Sequence, residues 1–530
     1  MNHKLLLALI TSVLLTSGCQ ENPTTEPVSR SMDVERCSAL ATMGDELPGV
    51  DIESVTFIAS VEDMSSKDKL TDSQKAAFKP FCKVSGYFEK RTGAQNKPYA
   101  IGFGLSLPLD WQGRLLFQGG GALNGLIREP VGTRAAGDIP AIFRGFAVAS
   151  TDSGHQSDSI FNTDFFADQQ ALLNFYSGAV EKTTALVKSL LTDIYQQAPE
   201  HSYFVGCSTG GREAMTMSQR FPRLFDGIIA GAPARQTNRS EIADLWSAKR
   251  LRQVSDSGNE PPFSPTQRQA IVSELVRQCD ALDGMNDGLI FATDQCNFDT
   301  TALRCSDNTN ANACLTEPQI QSLEEAFDGP KTADGEQVYP GFYFDTGIDD
   351  EPEKAGPGLL LAQPGPLGRA RIDLPFDIER ELAIANGFPL EPGNAVLTNM
   401  STFAHEGHKL MFFHGVSDPW FSAKDTLGYF QDMMAANGGE SEVSLWSQLY
   451  LVPGMGHCHG GDNTLDQFDM LSALVGWVEA SEQPESVIAF GEAMPGVERP
   501  LCPFPSFAVY SGKGNEAEAG SYRCELPDAL

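Results

Sequence analysis

Ser208 stands in Gly206-Cys207-Ser208-Thr209-Gly210, a serine with glycines two residues away on either side. That spacing suits a tight turn from strand to helix, where the serine is strained and exposed and small neighbours let the backbone approach itself. A hydroxyl placed this way can attack a carbonyl carbon once a base takes its proton. The backbone N–H of Thr209 would then face the oxygen that becomes negative. An ordinary glycine-rich turn has the same spelling, so the context must decide. An apolar run, Tyr203 to Val205, precedes the motif, and a helical stretch with Ala214, Met215 and Phe221 follows it.

The chain has eight histidines. In a serine hydrolase of the α/β type, the acid and the histidine both follow the serine in chain order. That order removes His3, His155 and His201. His405, His408 and His414 all precede Asp418, the best-placed acid, in His414-Gly415-Val416-Ser417-Asp418-Pro419. Two candidates remain. His457 ends the glycine-rich Pro453-Gly454-Met455-Gly456-His457, just beyond the run Leu449 to Val452, and His459 is second to it. The acid would hold the imidazole tautomer and stabilise the imidazolium. Asp462 and Asp466 come after the histidine and have the wrong order. A further oxyanion donor is expected from Gly119-Gly120-Gly121, the choice among the three staying open, with Gly120 and Gly121 put forward as site residues.

These residues need elements to position them. Leu115 to Phe117, Phe146 to Ala149, Tyr203 to Val205, Leu410 to Phe413 and Leu449 to Val452 each end in a polar or glycine-rich loop. Between the second and third runs, Val180, Leu186, Val187, Leu190, Leu191 and Ile194 recur at helical spacing. Alternating strand and helix predicts an α/β fold with a mostly parallel sheet. In such sheets ligands bind beyond the carboxyl ends of the strands, where all these polar loops fall. From about 235 to 400 strand periodicity weakens while cysteines, proline and glycine accumulate, which reads as an insertion dividing the sheet domain into 37–234 and 401–530.

With 70 acidic and 38 basic side chains the net charge is −32, which repels nucleic acid and anionic lipid. Lys4, an apolar run from Leu5 to Leu15 and a small-residue stretch up to Cys19 describe a signal peptide over 1–18. Leu15-Thr16-Ser17-Gly18-Cys19 is similar to a bacterial lipoprotein processing site, so 19–36 is expected to be a lipidated tether and the membrane is expected to be met only through that anchor. Without lipidation the protein would be periplasmic or secreted. Setting Cys19 aside leaves ten cysteines, an even number suited to disulfides in an exported chain. Asp280, Asp283 and Asp287 cluster around Gly284 and Gly288, either as a run of Asx turns or as oxygen ligands for calcium.

The Cys-Ser … Asp … His-Cys pattern, with Gly-Gly-Gly before Asn124-Gly125, Ser150-Thr151-Asp152-Ser153-Gly154-His155 and Gly231-Ala232-Pro233-Ala234, resembles the tannase and feruloyl esterase family. Within it the chain is most similar to bacterial members related to mono(2-hydroxyethyl) terephthalate hydrolase. The resemblance spans nearly all of Cys37 to Cys524. It implies an α/β-hydrolase core with a large lid, here 235–400. It implies the pairs Cys37–Cys82, Cys207–Cys458, Cys279–Cys296, Cys305–Cys314 and Cys502–Cys524, and the second of these favours His457 over His459. It makes 280–289 a structural calcium loop, with carboxylates from Asp280, Asp283 and Asp287 and backbone carbonyls from Met285 and Leu289. It implies no organic cofactor.

The implied activity is a serine carboxylesterase acting on small esters of aromatic acids: feruloyl, galloyl or terephthalate half-esters. Phe421 and its neighbour Trp420 are expected at the substrate. Arg369 and Arg371 could meet a substrate carboxylate or simply be solvated. Two rivals remain, a non-catalytic, calcium-stabilised surface-binding lipoprotein of the same fold and a serine peptidase.

Overall fold

The computed structural model describes residues 32–255, 261–306, 312–351 and 356–527. The signal peptide, Cys19 and most of the tether fall in 1–31, outside the described residues.

The centre is a nine-stranded sheet in the order β1-β2-β3-β5-β4-β6-β7-β8-β9. Its strands are β1 (Val50–Ile58), β2 (Phe81–Thr92), β3 (Pro98–Pro108), β4 (Arg114–Gln118), β5 (Ala147–Thr151), β6 (His201–Cys207), β7 (Gly227–Gly231), β8 (Lys409–Gly415) and β9 (Ser447–Val452). From β5 to β9 the neighbours run parallel; β1, β2 and β3 add an antiparallel edge. The five apolar runs singled out above are five of the parallel strands. This is an α/β fold of the α/β-hydrolase type.

These strands read as unbroken apolar runs because both of their faces are covered. Alternate side chains enter opposite cores, as a period of two requires. Phe117, Phe204 and Phe412 join one buried cluster, whereas Leu116, Tyr203, Val205 and Met411 join the other. Each such side chain contributes about 1.5–3 kcal/mol on burial. Helix α1 (Ala179–Tyr195) lays Val180, Val187, Leu190, Leu191 and Ile194 on the first face and ends at Gln196, which takes a left-handed conformation at φ 55°. Helix α2 (Thr209–Arg220) follows β6 and is buried from Thr209 to Ser218.

Between β7 and β8 the described residues add no strand to this sheet. They form instead helices α3 (Thr237–Arg252), α4 (Pro265–Cys279) and α5 (Glu317–Asp328) around their own cluster of Leu251, Ile271, Leu323 and Phe327. Disulfides join Cys37–Cys82, Cys207–Cys458, Cys279–Cys296, Cys305–Cys314 and Cys502–Cys524. Among the described residues no helix is long and apolar enough to cross a membrane.

Candidate active site

Ser208 occupies the corner between β6 and α2 at φ 64°, ψ −125°. A non-glycine residue there costs about 1–3 kcal/mol and persists only where its surroundings impose it. Here they do. The Ser208 N–H donates to Gly231 O (3.1 Å), and the Ala234 N–H donates to Ser208 O (3.0 Å). A side chain at Gly206 would overlap the Gly210 carbonyl, and one at Gly211 would overlap Gly231 O. The Gly231-Ala232-Pro233-Ala234 motif is therefore the wall that holds the corner in shape.

Asp418 lies on the loop after β8 and His457 on the loop after β9. Their side chains meet, with His457 Nδ1 2.7 Å from Asp418 Oδ2. The other oxygen, Oδ1, accepts from the N–H groups of Trp420 (2.9 Å) and Phe421 (3.1 Å). Burial pushes the Asp418 carboxyl up, but His457 and His414 outweigh it and hold the group well below the usual carboxylate range. His414, passed over on chain order, is a support for this acid. Its Nε2 lies 2.8 Å from Phe421 O and 3.3 Å from Asp418 Oδ2. Both are acceptors, so Nε2 carries the proton, and Nδ1 faces Thr426 Oγ1 at 2.9 Å. His459 is exposed at the cavity wall.

The Cys207–Cys458 bond ties the residue before Ser208 to the residue after His457, with Cα atoms 6.0 Å apart. It closes a loop of 251 residues, so its loss releases much entropy to the unfolded chain. Replacing both cysteines by serine is expected to lower unfolding stability by about 2–5 kcal/mol. Chemical denaturation at matched oxidation of the other four pairs checks this, and an unchanged midpoint would rule it out.

The glycine loop departs from expectation. The Gly120 N–H donates to Glu213 Oε2 (2.9 Å), and the Gly121 N–H donates to Asn124 Oδ1 (2.9 Å). Both donors proposed for the oxyanion are thus already engaged, Gly120 by Glu213 of α2 and Gly121 by Asn124 within the loop. Glu213 also accepts from Asn124 Nδ2 (2.7 Å) and Ser153 Oγ (3.1 Å). Asn124 and Ser153 belong to motifs recognised in the sequence; Glu213 does not. Together the three fix the loop's path over the start of α2.

Ser208, Thr209, His457, Trp420, Phe421 and Gly119 to Gly121 all line one cavity of about 470 Å³. The rings of Trp420 and Phe421 lie 4.9 and 5.3 Å from the His457 ring, centroid to centroid. Arg369 and Arg371 are not among the described residues lining it. Arg371 pairs with Glu381 and Glu241, and Arg369 Nε donates to Pro364 O (3.3 Å).

In the loop at 280–289, Asp280 accepts from the Gly288 N–H, and Asp283 from those of Met285 and Phe291. Asp287 accepts from the Leu289 N–H and pairs with Arg499. Among the described residues no group of three or more His, Cys, Asp or Glu side chains is arranged to hold a metal ion. The donor types suit calcium, and each of the three carboxylates here also accepts from a local N–H group, Asp287 pairing with Arg499 besides.

Comparison with known proteins matches the tannase and feruloyl esterase family profile over residues 82–355 and 390–525. The chain belongs to that family. It is 30% identical to a mono(2-hydroxyethyl) terephthalate hydrolase of Piscinibacter sakaiensis, across 93% of this chain and 92% of that one. It is 27% identical to feruloyl esterase B of Aspergillus niger, across 92% and 95%. Among solved structures it is similar to an esterase from Aspergillus oryzae, with a TM-score of 0.76 and 25% identity over 93% of this chain and 99% of that one. As a family member the chain is a carboxylic ester hydrolase.

Proposed function

We propose that Ser208 is the nucleophile, His457 the general base and Asp418 the residue that orients it. The observation carrying this reading is the Asp418–His457 bond, on a loop tied by disulfide to the strained Ser208 corner. Ser208 Oγ attacks the ester carbonyl while His457 accepts its proton. The alcohol leaves with that proton, and water, deprotonated by His457, releases the acid from the acyl-enzyme. The Thr209 N–H, first of α2, stabilises the oxyanion. Gly120 and Gly121 line the same cavity, and either N–H would have to leave its present acceptor, or divide its donation between that acceptor and the oxyanion, to take part.

The acyl group we infer is aromatic, with Phe421 and Trp420 against its ring. Gallate, ferulate and terephthalate half-esters are the candidates, in keeping with the names of the relatives. A panel of methyl gallate, methyl ferulate and mono(2-hydroxyethyl) terephthalate, assayed on one preparation beside matching amides, tests this. Turnover of at least one ester with no amide cleavage is expected. Binding without turnover would instead favour a surface-binding lipoprotein.

The segment 235–400 serves as the lid and 280–289 as its calcium loop. Burial pushes the Asp283 carboxyl up to about 7, and the charges of Asp287 and Asp280 add to this; a divalent cation would relieve it. Chelation of a bound ion is expected to lower stability by about 2–3 kcal/mol. Superimposable melting curves with and without EDTA would dispose of the calcium proposal. Export with lipidation at Cys19 completes the reading; radiolabelled palmitate incorporation that a Cys19→Ala variant loses is the expected result.

A further inference from the structure

Asp345 belongs to the segment between β7 and β8, yet its carboxyl sits between the two loops that carry Asp418 and His457. Its Oδ2 accepts from the Ser417 hydroxyl (2.6 Å) and from the Gly454 N–H (2.7 Å). Ser417 is the chain neighbour of Asp418, and Gly454 stands three residues before His457. Asp345 is 1% exposed. It occupies the N-cap position of a short helical turn, Thr346–Asp349, but its side chain does not cap that turn. Neither bond is therefore a by-product of local helix chemistry. From the same turn the Gly347 N–H donates to Ser417 Oγ (3.0 Å). A side chain at Gly347 would come within 2.8 Å of both Gly454 O and Ser417 Oγ, so glycine lets the turn press against both loops.

The loops need such a tie. Two backbone bonds join them as the pairing of β8 and β9 runs out, from the Val416 N–H to Val452 O (3.0 Å) and from the Ser417 N–H to Met455 O (3.1 Å). The His457 loop itself carries glycine at 454, 456, 460 and 461, and glycine offers little resistance to backbone rotation. The Cys207–Cys458 bond fixes this loop after His457; the Asp345 carboxyl fixes it before. Burial pushes that carboxyl up, and the Ser417 hydroxyl and the Gly454 N–H oppose this only in part. Its Oδ1 is buried without a hydrogen-bond partner. A buried carboxyl with one orphan oxygen weakens a fold; what this one supplies is the tie.

We propose that Asp345 is a positioning residue: through Ser417 and Gly454 it sets the Asp418 loop against the His457 loop in the register at which Asp418 Oδ2 and His457 Nδ1 meet. This rests on the Ser208–His457–Asp418 reading. Asp345 is not among the described residues lining the cavity, so its loss should leave substrate binding alone. It should act on rate, because a misplacement of about 1 Å at the reacting groups can cost about 100-fold.

The test is steady-state hydrolysis of p-nitrophenyl acetate, with the folded fraction of each preparation read from circular dichroism. Asp345→Ala is expected to lower kcat by about 10–100-fold and to leave KM within about threefold. Asp345→Asn should recover most of that loss, because its amide oxygen can take the place of Oδ2 and accept both bonds. A purely structural role would make kcat follow stability across these proteins; positioning makes it follow the two bonds. Ser417→Ala should lower kcat by about three- to tenfold. Added to Asp345→Ala it should cost little more, since both remove the same tie. A folded Asp345→Ala with wild-type kcat, or an Asp345→Asn as slow as Asp345→Ala, overturns the proposal. If Asp345→Ala does not fold, Ser417→Ala decides, and a wild-type kcat there overturns it. Ser208→Ala separates the two levels. If it keeps activity, the triad reading has failed; if it is inactive while the Asp345 and Ser417 variants turn over like wild type, the positioning role alone has failed.

Discussion

Ser208→Ala is expected to reduce kcat on an activated aryl ester by about 10⁴–10⁶-fold. The loss should fall on kcat and leave KM nearly unchanged, because the side chain forms a bond only as reaction proceeds. Folding should survive. The corner is imposed by Gly231 O, the Ala234 N–H and the overlaps that glycine avoids at 206 and 211. Alanine at φ 64° is no more strained there than serine. Residual activity of about 10³–10⁴ over water is expected from the oxyanion donors and the cavity. A folded alanine variant within tenfold of wild type would remove Ser208 from the mechanism.

Asp418→Asn is the second large effect, about 10⁴-fold in kcat. Asparagine can keep the bonds from the Trp420 and Phe421 N–H groups through its oxygen. Its NH₂ would then face His457 Nδ1, stabilising the tautomer that holds the proton on Nε2 and cannot take one from Ser208. The same NH₂ would also face the His414 Nε2–H, donor to donor. Loss of stability should therefore accompany loss of rate. The sign of the pH dependence follows from the depressed carboxyl. Its stabilising contribution is present in full above the unfolded value, about 3.9, and is lost as pH falls toward the folded value. Wild type should consequently lose stability below about pH 4 and the asparagine variant less so. Parallel acid-unfolding curves for the two would contradict this role for Asp418.

Much of the sheet was legible because strands buried on both faces need an apolar stretch at their centre, and β4, β5, β6, β8 and β9 each have one. β7 escaped notice because Gly227-Ile228-Ile229-Ala230-Gly231 carries just two large side chains. Its small residues have a reason: a side chain at Gly231 would overlap the Phe413 ring. The antiparallel strands β1 to β3 left no signal tied to chemistry, and they lie away from the site.

At the site, chain order and loop glycines pointed to Ser208 and Asp418 and left His457 and His459, and the Cys207–Cys458 pair implied by the family resemblance favoured His457. The support beneath them was not readable in the same way. Glu213 bonds to Asn124 across 89 residues of sequence, and no local pattern announces a contact of that range. Asp244 belongs to the opposite case. Thr237, Ser240, Glu241 and Asp244 make a polar stripe at helical spacing, which in a sequence resembles any solvated helix face; the fold turns it inward, onto the cavity. The loop at 280–289 illustrates a third. Residue types there suggest a metal, while the geometry commits each carboxylate to a nearby N–H or to Arg499.

The central claim is that one serine, Ser208, carries the acyl group. Peptide mapping by mass spectrometry after treatment with a fluorophosphonate ester tests it most directly. One adduct per chain is expected, on the peptide containing Ser208 and appearing in step with loss of esterase activity. Complete inactivation with the label on another residue, or full activity after Ser208 is quantitatively labelled, would contradict the account.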